Sequence, residues 1–247
     1  MKKFFKKLIR VLAGIVLLIV VFMVIYLIIS KSAMKKMMPV ETRQVTDDVY
    51  SVRTRYVNMY LVKDGDHFIA IDAGTKKGAV KDELKKLDID PDKVRAVLLT
   101  HSDADHAGGI SLFEKAVIYL PKEEEQVING ETGRFLWFGN KIDTENYKLL
   151  EDKSFKIGDV KIRLVPTPGH TAGSTCYLIN DKYLFTGDAV ALHNGNIVLF
   201  PKIINKSARK AKRSMANITG LDNVQYIFTA HFGYTDDYKA ATGAISK

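Results

Sequence analysis

The sequence predicts an α/β domain preceded by a single membrane-spanning helix. Two observations carry this. Val11 to Ile29 is an unbroken run of 19 residues without a charge. From about Gln44 onward, short apolar runs rich in Val, Ile, Leu and Tyr alternate with helical stretches, as in chains that lay strands against covering helices.

The uncharged run is preceded by Lys2, Lys3, Lys6, Lys7 and Arg10 and followed by Lys31, Lys35 and Lys36. At about 1.5 Å rise per residue such a helix spans roughly 28 Å, close to the hydrocarbon thickness of a bilayer. A cleaved signal sequence normally has an apolar region of about 7–15 residues, which makes an uncleaved anchor the better reading. Residues 1–30 are expected to form this anchor, touching the membrane through residues 8–29, with 31–43 as a polar linker. The heavier basic flank lies before the run. It places the N-terminus in the cytoplasm and the rest of the chain outside the cell membrane.

The formal net charge of +9 raises the question of a nucleic-acid partner. Residues 1–43 hold nine Lys/Arg against the single acid Glu41, whereas residues 44–247 hold 28 Lys/Arg against 27 Asp/Glu. The basicity belongs to the tether, and a nearly neutral body has no broad field for a polyanion. Cys176 is the only cysteine, which excludes an intramolecular disulfide and a cysteine-cluster metal site. In its strand-like setting it reads as a small buried hydrophobe.

Within the body, strands are expected at Val49–Val52, Met59–Val62, Phe68–Ile71, Val94–Leu99, Val117–Leu120, Val160–Val165, Cys176–Ile179, Tyr183–Thr186 and Tyr226–Thr229. Helices are expected at Gly78–Leu87, Gly109–Lys115, Glu123–Asn129 and Ser207–Ile218. About 200 residues suffice for one core, so residues 44–247 read as one domain. Lys206, Arg209, Lys210, Lys212 and Arg213 read as one solvated helix face. His67 follows Asp64-Gly65-Asp66, a hairpin turn.

The chemistry gathers at strand ends. The string His101-Ser102-Asp103-Ala104-Asp105-His106-Ala107-Gly108-Gly109 packs four potential metal ligands into six residues. Imidazole and carboxylate are the donors accepted by zinc, iron and manganese, and packing does not explain so dense a cluster. His170, Asp188 and His231 each follow another apolar strand. Loops after rigid strands are where such groups are held accurately.

These motifs, in this order, resemble the metallo-β-lactamase superfamily across nearly all of residues 44–247. Asp72 in Ile71-Asp72-Ala73-Gly74 is similar to the family's first-motif aspartate, and His101 to His106 resembles its His-x-His-x-Asp-His signature. His170 in Pro168-Gly169-His170-Thr171, Asp188 in Thr186-Gly187-Asp188 and His231 in Thr229-Ala230-His231 resemble the remaining three motifs. The resemblance implies a four-layer αββα sandwich with two divalent metal ions at one edge. It implies that His101, Asp103 and His170 hold one ion, and Asp105, His106 and His231 the other. Asp188 would bridge them, and Asp72 would support a ligand from behind. Asp105 and Asp188 are the expected catalytic carboxylates, and a hydroxide shared by the ions the expected nucleophile.

One residue departs from the family pattern. Asp103 stands where the signature has its second histidine. A third carboxylate lowers the charge of the loaded site by one, which is expected to weaken its attraction for phosphodiesters and to make its water harder to deprotonate. It is also similar to the glutamate used by the family's di-iron flavodiiron members, so iron or manganese is weighed against zinc. An extracellular site favours redox-inert zinc.

The expected function is a metal-dependent hydrolase cutting an ester, lactone, thioester or amide bond of a small molecule. The alternatives are a phosphodiesterase of the same fold or a di-iron redox enzyme such as an oxygenase. His193, five residues after Asp188, is a candidate for the substrate pocket, with a turn residue as the bland alternative. Trp137 is another, as part of an aromatic lid with Phe135, Phe138 and Tyr147.

Overall fold

The computed structural model describes residues 2–131, 146–202 and 204–243. The chain divides into two units, Met1–Met37 and Met38–Lys247. The first is a helix, α1 (Lys2–Met34), whose large apolar side chains Phe4, Phe5 and Ile9, and those from Val11 to Ile25 and Leu27 to Ile29, are exposed. By length and composition it is able to cross a membrane. It runs four residues beyond the expected end at 30. Pro39 bars the helix from continuing past Met38, because the residue before a proline is driven out of the helical region.

The second unit begins at Met38, earlier than the expected boundary at 44. Residues 38–43 are not a free linker. Met38 N donates to His231 O at 2.8 Å, and the Asn58 side chain pairs with both backbone groups of Val40 at 2.7 and 2.8 Å. Those bonds satisfy backbone groups that a linker would leave to water.

The strands and helices of this unit follow in order. They are β1 (Arg43–Gln44), β2 (Val49–Thr54), β3 (Val57–Asp64), β4 (His67–Ile71), α2 (Lys77–Lys86), β5 (Val94–Leu98), α3 (Ala104–Ala107), β6 (Val117–Pro121), α4 (Glu125–Ile128) and β7 (Tyr147–Leu150). Then come β8 (Ser154–Ile157), β9 (Val160–Pro166), β10 (Thr175–Ile179), β11 (Tyr183–Phe185), β12 (Val190–His193), β13 (Asn196–Leu199), α5 (Ala208–Thr219), β14 (Tyr226–Phe228), β15 (Tyr234–Thr235) and α6 (Tyr238–Gly243).

Among the described residues, β1 to β7 form one mixed sheet in sequence order, and β15-β14-β11-β10-β9-β8 form a second. The two sheets face each other across a core of Tyr60, Ile69, Ile71 and Leu98 from the first and Ile162, Tyr177, Phe185 and Phe228 from the second. A second core lies under α2, where Val80 and Leu84 meet Val97 and Leu61. A third lies under α5 and α6, where Met215, Ile218 and Ala241 meet Leu178 and Ile227. Three apolar interfaces make four layers, α, β, β and α, the architecture the motifs imply.

The helix expected at Gly109–Lys115 is not there. The short α3 begins at Ala104, ends at Ala107 with Gly108 as its C-cap, and is followed by one tight turn at Ile110–Leu112. Gly108 and Gly109 press against the backbone. A Cβ on either would come within 2.1 Å of the carbonyl oxygens of Thr75 and Ala73. The two glycines therefore serve close packing of the ligand loop rather than the start of a long helix.

Topology alone brings the ligand-bearing loops to one edge. β4 and β5 are parallel neighbours, so Asp72 and His101 leave the first sheet at the same end. β11 and β14 are also parallel neighbours, which does the same for Asp188 and His231 in the second sheet. His170 lies in the loop joining β9 to its antiparallel partner β10.

Candidate metal centre

Four imidazoles and three carboxylates meet where these loops converge. His101, His106, His170 and His231 are each no more than 1% exposed, and Asp188 is 6% exposed. The side chains of Asp103 and Asp105 are 17% and 22% exposed and form the open side. Three groupings place their ligand atoms within 4.8 Å of one another: His101, Asp103 and His170; His101, His106 and Asp188; and Asp105, His106 and His231. Asp188 faces both outer triads. Its Oδ2 is 3.4 Å from His170 Nε2, while Oδ1 is 3.2 Å from His231 Nε2 and 3.5 Å from His106 Nε2. Asp103 Oδ2 is 3.0 Å from His170 Nε2 and 3.6 Å from His101 Nε2.

Behind the cluster, the outward nitrogens are fixed one by one. Asp72 is held at φ +64 at the end of β4, a left-handed conformation that Asp tolerates better than most residues. Its Oδ1 accepts from Thr100 N at 2.8 Å and from Thr100 Oγ1 at 3.0 Å, and its Oδ2 accepts from His106 Nδ1 at 2.8 Å. The Thr100 hydroxyl has one proton and gives it to Asp72, so its lone pair accepts from His101 Nδ1, 3.0 Å away. His231 Nδ1 donates to the Tyr56 carbonyl at 2.7 Å, and the Tyr56 ring stacks on the imidazole at 5.9 Å. Asn205 Oδ1 lies 3.3 Å from His170 Nδ1. Each arrangement turns Nε2 of the ring toward the centre.

Electrostatics agree with the geometry. Burial pulls the His106 pKa down, but Asp72, Asp188 and Asp105 prevail and hold it up at about 10. His231 is raised in the same way, with burial opposed chiefly by Asp188. Burial pushes Asp188 up, yet His231, His106 and His170 hold its carboxyl far below the usual range. For His170 burial prevails and the pKa falls. The carboxylates make the pocket a place where positive charge is stabilised.

A divalent metal fits these residues. His101 Nε2, His106 Nε2 and Asp188 Oδ1 are buried and make no hydrogen bond. Buried polar atoms without partners are costly, and here all three point into a cluster of metal-ligand chemistry. A cation is the partner that satisfies an imidazole lone pair and a carboxylate oxygen together.

Gly187 provides a test of how tightly the relay is packed. It adopts φ +50, and a Cβ there would lie 2.4 Å from Thr100 Oγ1. Gly187→Ala is expected to push Thr100 off Asp72 and to lower both metal content and melting temperature, read by elemental analysis and thermal denaturation.

The expected positions divide three ways. Asp72 and the seven expected ligands are gathered at this edge. His193 is not among them: it is exposed at the end of β12, where the turn to β13 begins, 3.5 Å from Asn194 Nδ2, beside a cavity shared with Ile197, Lys212 and Met215. The strand it ends is paired in a hairpin of its own, which carries it away from the strand ends that bear ligands. Trp137, Phe135 and Phe138 lie outside the described residues. Tyr147 opens β7, and its hydroxyl donates to Glu125 Oε1 at 3.1 Å, so it belongs to the sheet rather than to a lid. Sequence reasoning missed Thr100, Tyr56, Asn205 and the buried Glu124. Only Thr100, next to His101, carried a positional hint.

The profile described as the metallo-beta-lactamase superfamily matches residues 52–231. The chain is 28% identical over 188 residues, 75% of its own length, to the lactamase-like protein aptB of Emericella nidulans. It is 36% identical over 126 residues, 49% of its length, to the probable polyketide biosynthesis zinc-dependent hydrolase BaeB of Bacillus velezensis. It spans about half of each relative, 54% and 49%. Among solved structures, a B3 metallo-beta-lactamase with an active-site glutamic acid superposes with a TM-score of 0.64 at 18% identity, covering 88% of this chain and 90% of that one. That likeness speaks to the fold. The profile match covers well over half of the sequence, and the chain belongs to the metallo-beta-lactamase superfamily.

Proposed function

We propose that this chain is a membrane-anchored hydrolase that holds two divalent metal ions, zinc foremost, and cleaves an ester, lactone, thioester or amide bond of a small molecule. The observation that carries the reading is the buried convergence of four histidines and three aspartates with partnerless atoms aimed inward. His101, Asp103 and His170 would hold one ion and Asp105, His106 and His231 the other, with one Asp188 oxygen turned to each triad. When bound, such ions polarise the scissile group and lower the pKa of water from about 15.7 toward about 7. Asp103 and Asp105, the least buried ligands, are the carboxylates that substrate and water reach. Asp105 is placed to take a proton at Oδ2, with His231 Nε2 3.5 Å behind it. The zinc-dependent hydrolase description of BaeB supports the same metal and reaction class.

The test is elemental analysis of the purified full-length protein beside a panel of lactone, thioester, phosphodiester and β-lactam substrates. Two equivalents of zinc with hydrolysis of a carbonyl substrate are expected. Folded protein, purified without chelator, that contains no transition metal overturns the reading. The oxygen donor at Asp103 favours a second reading, a di-iron redox enzyme; coloured, iron-containing protein would select it. For the anchor, α1 is expected to keep the chain in the membrane fraction at high salt and to release it only in detergent.

Asp103 also makes a selectivity prediction. Asp103→His adds one unit of positive charge to the loaded site. At about 4 Å a unit charge is worth about 1 kcal/mol in water and about 4 at an effective dielectric of 20. The ratio of kcat/KM for a phosphodiester over a neutral ester is therefore expected to rise at least about fivefold. An unchanged ratio removes the charge argument.

A further inference from the structure

Glu124 immediately precedes α4 and is 1% exposed, a buried carboxylate that the proposed chemistry does not use. Its partners explain its burial. Oε2 accepts from Ser102 N at 3.0 Å and from Ser102 Oγ at 2.5 Å, and Oε1 accepts from Gly173 N at 2.8 Å. Ser102 stands between His101 and Asp103. Gly173 follows His170 by three residues. A Cβ on Gly173 would lie 2.8 Å from Glu124, so the two loops close around the carboxylate.

His101, Asp103 and His170 are one of the three groupings whose ligand atoms converge. They come from two loops that no β-ladder joins directly, and Glu124 bonds to both. The other outer triad has supports that Glu124 does not touch: Asp72 behind His106 and the Tyr56 carbonyl behind His231. Asp103 caps the four-residue α3 through its carbonyl, which accepts from His106 N and Ala107 N at 2.9 Å, and the segment just before it carries Ser102. That segment is the one Glu124 holds.

Building on the two-metal reading, we propose that Glu124 is a positioning residue for one metal site only, the clamp that sets the affinity of the His101, Asp103 and His170 triad. A carboxylate suits this task because its two oxygens accept all three donors at once. An amide has a single acceptor oxygen. In Glu124→Gln the NH2 group must face Ser102 N or Gly173 N, donor against donor, while the side-chain volume is unchanged.

The experiment is a competitive chelator titration with zinc on full-length protein, with metal content measured after dialysis. Wild type is expected to retain two equivalents. Glu124→Gln is expected to retain one, with the weaker site loosened about 10–100-fold, the range seen for groups that orient ligands. Two backgrounds identify the site. Added to His170→Ala, Glu124→Gln is expected to change nothing further; added to His231→Ala, it is expected to remove the remaining ion. A merely structural role predicts equal loosening of both sites together with a lower melting temperature of the metal-free protein, and that outcome overturns the proposal. So does unchanged affinity at both sites. Should Glu124→Gln not fold, Ser102→Ala removes one of the three bonds and reads the same ratio of affinities. Wild-type protein that holds no metal would sink the two-metal reading itself, a result distinct from any of these.

Discussion

Asp188→Ala is expected to abolish retention of both metal ions and to lower kcat/KM by more than about 10²-fold, the upper end of what outer ligand-orienting groups already contribute. The reasoning is geometric. Each other ligand touches one side of the cluster, but Asp188 presents one oxygen to His170 and the other to His106 and His231. Its removal also takes away the one carboxylate that faces three of the buried imidazoles together, leaving them the partly exposed Asp103 and Asp105 and, behind His106, Asp72. A weakened counter-charge in a buried cluster is costly. Asp188→Asn keeps the shape and one acceptor oxygen, so it is expected to keep part of one site and less than one full equivalent of metal. Elemental analysis and steady-state kinetics on the same preparations check both variants. An alanine variant with two equivalents and native activity would show that the two triads do not depend on this residue.

What the sequence made legible follows from what each element has to do. β3 is buried along nearly its whole length, and Met59 to Val62 read as a strand because no polar residue interrupts them. The same holds for Cys176–Ile179 in β10. The edges were harder. β8 is Ser154–Ile157, with only Ile157 buried, and β7 has no buried residue, so neither shows the apolar alternation that marks a half-buried strand. The strands β1 and β15 are two residues each, too short for any alternation to show.

The site shows the same contrast. Its ligands were visible because histidine and aspartate at the ends of apolar runs have no packing rationale. Glu124 was invisible because it is the middle of Glu123-Glu124-Glu125, and composition does not reveal which of three acids turns inward. Tyr56 contributes through its carbonyl, a group every residue has. His193 shows the reverse limit: only five residues from Asp188 in sequence, it stands at the end of the β12–β13 hairpin, the turn setting weighed beside the pocket. A two-residue turn and a hairpin register were enough to separate them.

Asp72→Asn is the second large effect expected, and it separates shape from protonation. The substitution preserves volume, and asparagine tolerates the φ of +64 as well as aspartate does, so the backbone has no reason to move. The hydrogen-bond pattern, however, has no solution. Thr100 N, Thr100 Oγ1 and His106 Nδ1 all donate to the present carboxylate. If the new amide turns its NH2 toward Thr100, it faces the backbone N–H. If it turns the NH2 toward His106, the ring must accept at Nδ1 and carry its proton on Nε2, which is the lone pair needed for metal. Metal affinity of the Asp105, His106 and His231 triad is therefore expected to fall about 10–100-fold with little change in the far-ultraviolet circular dichroism. The same chelator titration that reads Glu124→Gln detects this, with the larger loss at the Asp105, His106 and His231 triad and a smaller one at His101, whose Nδ1 rests on Thr100. Asp72→Ala is expected to be worse in a different way: it strands three buried donors, at about 1–3 kcal/mol each, and puts alanine in a left-handed conformation. The alanine variant is then expected to lose melting temperature before any metal is added, whereas the asparagine variant shows its deficit only on loading. Should the two variants lose metal and stability in the same proportion, Asp72 would be a packing residue and the tautomer argument would fail.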